Sequence, residues 1–200
     1  MKKKDQVLKI AKEQGFIKAN DLEQKGISRN YLYVLHKEER LTKLDNGLYV
    51  LSNYPYTEHS EIAGICKRYP SAVICLISSL DYYNLTTQIP HKIWIALPRG
   101  TWHPKLKFPP LNVRSLSGET YSFGITEIKM QGVNIKVYSA AKTIADCFRF
   151  RNKIGLDVAI EALKDAWRSQ IASVDELMLA ARVCKVDRIM RPYLEAIVHR

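Results

Sequence analysis

The sequence predicts an α+β fold on three observations. Helical periodicity with capping signals fills the first 40 residues, strand-like segments occupy residues 41–51 and 93–138, and helical periodicity returns after Tyr138. Over residues 4–14, Val7, Leu8, Ile10 and Ala11 form one stripe opposite Lys9, Lys12 and Glu13, and Gly15 supplies a left-handed stop. Asn20-Asp21-Leu22-Glu23 has the form of a capping box opening a short second helix that closes at Gly26. Ser28 is placed to cap a third helix from Arg29 to about Glu38. Leu41–Leu44 and Leu48–Leu51 flank Asn46-Gly47, a strong hairpin signal. Three helices followed by a two-stranded ribbon is the order of a winged helix-turn-helix.

Asn53-Tyr54-Pro55 ends the ribbon, which predicts a winged helix-turn-helix domain over residues 1–54 and a larger mixed domain over residues 55–200. In the second, residues 58–68 read as a helix broken at Tyr69-Pro70, and the apolar run from Ala72 to Asn84 as a buried helix. Ile93–Leu97 is a strand stopped by Pro98, Val113 and Leu116 mark another, and Ile125–Met130 with Val133–Tyr138 alternate around Gln131-Gly132 as a hairpin. These predict a small mixed or antiparallel sheet. Ser139 caps a helix with Ile144, Ala145, Cys147 and Phe148 on its apolar stripe, and Gly155 separates it from one carrying Val158, Ala159, Ala162, Leu163 and Ala166. Ser173-Val174-Asp175-Glu176 is a capping box, and a last helix is expected from Met190 to Val198.

With 46% hydrophobic and 26% charged residues in 200, the chain is globular and has enough apolar material for a sizeable core. Lys and Arg number 31 against 20 Asp and Glu, a net charge of +11 that attracts polyanions. Nucleic acid is therefore the leading partner class, although many basic proteins bind none. No apolar run follows Met1-Lys2-Lys3-Lys4 and no stretch reaches membrane-spanning length, so a cytoplasmic protein without a membrane partner is expected. Cys66, Cys75, Cys147 and Cys184 lie far apart without a C-x-x-C pair, which favours buried reduced thiols over a zinc or disulfide framework.

Projected at about 100° per residue, the third helix groups Ser28, Tyr31, Leu32 and Leu35 on one side and Arg29, Asn30, Tyr33 and Lys37 on the other. The second group contains the residue types that reach base edges and phosphates, with no acid before Glu38. Lys43 and Asn46 in the hairpin are candidates for backbone or minor-groove contact, and equally for ordinary strand and turn residues.

Evidence for catalysis is thin. Pro98-Arg99-Gly100 and Ser139-Ala140-Ala141-Lys142-Thr143 are the two places where a phosphate site could be sought, but the second lacks the glycines a phosphate-cradling loop needs and reads as a capped helix with Lys142 in its first turn. His36, His59, His91, His103 and His199 lack metal-ligand spacing, and Glu58-His59 and Ser78, Ser79 and Asp81 are not selected by any pattern. No metal, no cofactor and no enzyme activity are expected.

Four stretches carry a resemblance: "SRNYLYVLHKEERLTKLDNGLYVL", "AVICLISSLDYYNLTTQIPHKIWIALPRG", "YSAAKTIADCFRFRNKIGLDVAIEAL" and "RVCKVDRIMRPYLEAI". Spread over most of the chain, they resemble the AbiEi antitoxins of bacterial type IV toxin–antitoxin (abortive phage-infection) systems. The resemblance implies a winged helix-turn-helix that represses its own operon at inverted repeats in promoter DNA. It further implies a C-terminal domain that neutralises a cognate nucleotidyltransferase toxin without a stable complex. DNA-reading positions would be Arg29, Asn30, Tyr33 and Lys37, supported by Lys43. A basic C-terminal surface is also implied, for which Arg99, Lys142, Arg149, Arg151 and Lys153 are candidates and for which a solubilising helix face is the equal alternative. One departure is the modest basicity of the N-terminal domain, where Glu38, Glu39 and Asp45 offset part of its charge. The rival reading is an enzymatic or RNA-binding C-terminal domain, with the winged domain serving assembly.

Overall fold

A computed structural model describes residues 2–44, 47–55, 57–104 and 109–198, Glu58 by its backbone alone. The fold is α+β, as the sequence predicts. It divides into two compact units: residues 1–70 with 128–135, and residues 71–127 with 136–200. The division does not fall at residue 54.

In the first unit, α1 (Lys3–Gln14), α2 (Ala19–Glu23) and α3 (Asn30–Lys37) precede β1 (Leu41–Lys43) and β2 (Tyr49–Leu51), and α4 (Glu58–Arg68) follows. The strands pair antiparallel with Leu41 opposite Leu51 and Lys43 opposite Tyr49. Asn46, expected in the turn, lies outside the described residues. Val7, Ile10 and Ala11 of α1, Leu22 of α2, and Leu32 and Leu35 of α3 close one apolar core with Ile17, Ile27 and Leu41. The cap of α2 differs from expectation: Asp21 accepts the Lys18 N–H at 2.8 Å, so Asn20 lies inside the helix and caps nothing. Ser28 Oγ does accept from the Asn30 N–H at 3.3 Å, at the start of α3.

α4 belongs to this unit because glycine at position 64 lets its backbone approach Phe16, whose Cε1 lies 3.3 Å from where a Cβ would stand. Residues 128–135 belong to it through Tyr54, whose hydroxyl donates to Gln131 Oε1 at 2.8 Å. The break after β2 is thus only a turn. A short range of sequence shows where a ribbon ends, but not what packs back onto it.

The other strands make one sheet in the order β5-β4-β3-β7-β6. β3 is Val73–Ile74, β4 Ile93–Pro98, β5 Leu111–Leu116, β6 Ile125–Met130 and β7 Val133–Tyr138. β3 pairs antiparallel with β4 and parallel with β7, while β4 and β5 are parallel, so the sheet is mixed. Gln131 and Gly132 both have positive φ, 51° and 79°, as a type I′ hairpin turn requires. The run Ala72–Asn84 is not one helix: β3 comes first, then α5 (Leu76–Tyr82). A two-residue strand buried on both faces has no alternation, so its sequence merges with the apolar helix after it.

Helices α7 (Ala140–Arg149), α9 (Leu156–Arg168), α10 (Val174–Val183) and α11 (Asp187–Val198) build the second core with α5. Two single-turn helices, α6 (Glu119–Ser122) and α8 (Arg151–Ile154), complete the set; α6 is too short to show periodicity. Ser139 and Ser173 cap as expected, accepting the N–H of Lys142 and of Glu176 at 3.3 Å each. α11 starts three residues before Met190 and carries Pro192 inside it. Among the described residues no helix is long and apolar enough to cross a membrane.

Candidate nucleic-acid interface

The spacing of Leu32 and Leu35, both buried, fixes how α3 rolls on the first core. That roll turns Arg29, Asn30, Tyr33 and Lys37 outward, and all four are exposed, Tyr33 by 53%. Tyr33 and Lys37 stand one turn apart, and the Lys37 ammonium sits 4.9 Å from the Tyr33 ring centroid. This cation–π contact pre-orders two long side chains on the outer face. Ser28, placed on the buried side by the helical projection, is instead exposed, because it lies before the first helical turn.

Lys43 ends β1 and is exposed. Arg40 is a cation that the projection missed. It is exposed just past α3, with its N–H donating to Leu35 O at 2.9 Å and its own carbonyl accepting from Ser52 at 3.2 Å. The signal was available, since Lys37, Arg40 and Lys43 recur at three-residue spacing from helix into strand. The acid at the end of the helix is offset, since Lys4 of α1 pairs with Glu38. Both groups are about 40% exposed, so the pair neutralises charge more than it stabilises.

The expected basic C-terminal surface holds together less well. Arg99 is exposed in the turn after β4. Arg149, Arg151 and Lys153 share the α7–α8 corner: the Arg149 guanidinium lies 5.7 Å from the Phe150 ring, Arg151 donates to Phe148 O at 2.9 Å, and Lys153 is exposed. Lys142 must be corrected, because it is fully buried and belongs to no surface. Its ammonium donates to Asp146 Oδ2 at 2.5 Å and sits 4.1 Å from the Tyr138 ring centroid. The Cys184 thiol donates to the other Asp146 oxygen at 3.3 Å. Burial raises the Asp146 pKa, and Lys142 opposes that rise. A polar helix face was read as a wet one, but the entire run from Ala140 to Phe148 is buried and its charges are paired internally.

The serines and thiols are structural too. Ser78 Oγ accepts the Trp94 N–H at 3.0 Å, and Ser79 and Thr143 hydroxyls lie 2.8 Å apart and share the Tyr138 carbonyl. All four cysteines are buried and free. Burial pushes the Cys66 and Cys184 thiols up to about 12 and raises those of Cys75 and Cys147 as well. None is an activated nucleophile.

No family model and no curated protein matches the sequence. The fold is similar to that of the RV2827C protein from Mycobacterium tuberculosis, known from a crystal structure. The TM-score is 0.58 over 96% of this chain and 80% of that one, at 10% sequence identity. At that identity the likeness carries the fold and nothing of its chemistry.

Proposed function

We propose that this protein is a cytoplasmic transcriptional autorepressor and antitoxin of the AbiEi type, a binder rather than a catalyst. Its first unit reads inverted repeats in promoter DNA, with α3 in the major groove and the β1–β2 hairpin beside the phosphate backbone. The chain counteracts a cognate nucleotidyltransferase toxin without holding it in a stable complex. The observation that supports the DNA reading most is the outer face of α3: Arg29, Asn30, Tyr33 and Lys37 are exposed together, with no acid between them in sequence, and the cations resume at Arg40 and Lys43 beyond Glu38 and Glu39. Arginine and asparagine suit bidentate contacts to guanine and adenine, and the lysines suit phosphates.

Fluorescence anisotropy on the DNA upstream of the gene tests it. Arg29→Ala and Lys37→Ala should each weaken binding by ~1–3 kcal/mol, with Lys37→Ala also lowering the salt dependence by about one counterion. Unchanged binding by both variants removes α3 from the interface. For the antitoxin half, co-expression should relieve growth arrest by the neighbouring nucleotidyltransferase while the two proteins fail to co-purify.

A further inference from the structure

A cavity of about 290 Å³ opens in the second unit, independently of the α3 face. Ile77 of α5, Trp94 of β4 and Ile154 of α8 give it apolar walls, while Asn112 of β5 supplies an amide that both donates and accepts. Lys92 and Lys153, both exposed, stand at its rim, and no carboxylate lines it among the described residues. The Arg114 guanidinium lies 4.9 Å from the Trp94 ring centroid; its Nη1 donates to the Val113 carbonyl at 3.3 Å, while its buried Nε has no hydrogen-bond partner among the described residues. Among the described residues, neither Arg114, Lys92 nor Lys153 forms an ion pair. Two lysines thus line one small aromatic-walled cavity with no carboxylate among the described residues to balance them, and Arg114 adds positive charge against the Trp94 ring from outside the lining.

We propose that this cavity binds a nucleoside phosphate, its base against Trp94 and Asn112 and its phosphate between Lys92 and Lys153. The volume, about 290 Å³, lies just under the about 300–1,000 Å³ typical of ligand sites, which suits one nucleotide at most and not a dinucleotide. Stacking on an indole tolerates any base, whereas an amide beside the ring reads a base edge. The same chemistry comes from a free mononucleotide or from the 5′-phosphorylated end of a strand.

Isothermal titration calorimetry on the full chain separates the cases, using adenosine 5′-monophosphate, adenosine, inorganic phosphate and a 5′-phosphorylated tetraribonucleotide. Saturable binding of the monophosphate, weakened about tenfold by Lys92→Ala and again by Lys153→Ala, is expected. Both lysines are exposed, so neither change threatens the fold. In a Trp102→Phe, Trp167→Phe background, where Trp94 is the sole indole, the ligand should also quench fluorescence. Binding of the oligonucleotide alone, with the same lysine dependence, supports the proposal with a strand end as the source. No binding by either, binding indifferent to both lysines, or phosphate binding as tightly as the nucleotide overturns it.

Discussion

A buried ammonium is tolerable only while its counter-charge stays in place, and Lys142 with Asp146 is such a pair. Asp146→Ala should cost ~3–5 kcal/mol because the ammonium keeps its burial and loses its partner. The double change Lys142→Met, Asp146→Leu should recover most of that loss, since no charge then remains to be desolvated. Urea denaturation of the three variants checks it, and a double variant no better than the single one defeats the account. The thiols make a second residue-scale prediction. With folded pKa values above the ordinary thiol value of about 8.5, the folded chain keeps protons that the unfolded chain releases. Stability conferred by these groups is therefore complete below that value and declines as pH rises through it towards about 12. The urea midpoint should fall between pH 7.5 and 9.5, and Ellman's reagent should label none of the four thiols until the chain is unfolded.

At the scale of elements, helix ends explain much of what the sequence concealed. α3, α5, α9 and α10 all finish with the same pair of bonds, as in α3, where Glu39 donates to His36 O at 3.1 Å and Arg40 to Leu35 O at 2.9 Å. The residue held at positive φ is Glu39, Asn84, Gln170 and Lys185 in turn, so no glycine marks these ends. Such a residue is strained by ~1 kcal/mol relative to glycine. Glu39→Gly should therefore stabilise the chain by about that amount and also tighten DNA binding, by removing a carboxylate next to the α3 face. Thermal unfolding and anisotropy read the two effects separately; destabilisation would show that Glu39 is held there by something other than backbone geometry. Where glycine or a capping serine did mark the boundary, at Gly15, Ser139 and Ser173, the sequence located the elements closely. The exposed face of α3 proposed to read DNA was legible for a related reason, since a short amphipathic helix with two buried leucines has one way to lie. Lys142 was illegible because pairing across a core leaves no trace in spacing. The cavity residues Trp94, Asn112 and Lys153 were illegible because pairing of β4 with β5 and the corner at α8 bring together distant stretches of chain.

At the scale of the whole molecule, the chain's two compact units are not two consecutive pieces, since residues 128–135, the end of β6, the turn and the start of β7, group with the unit that begins at the N-terminus. Close backbone approach is what makes that possible. Gly15, at φ +70°, has the Gln131 carbonyl oxygen only 2.2 Å from where a Cβ would stand, and Gly132, at φ +79°, has the Gln14 carbonyl carbon at 2.7 Å from its own. Gly26, at φ +65°, has nothing within 4 Å and isolates the backbone cost alone. Gly26→Ala should therefore cost ~1 kcal/mol, the left-handed penalty by itself. Gly15→Ala and Gly132→Ala should cost ~1–3 kcal/mol more, because two backbone segments must be pushed apart and neither has a side chain that can swing away. Urea denaturation of the three variants in the full chain measures the difference directly. Equal losses at all three positions would mean that residues 128–135 do not close on residues 14–15, and the first unit would then be the N-terminal segment alone.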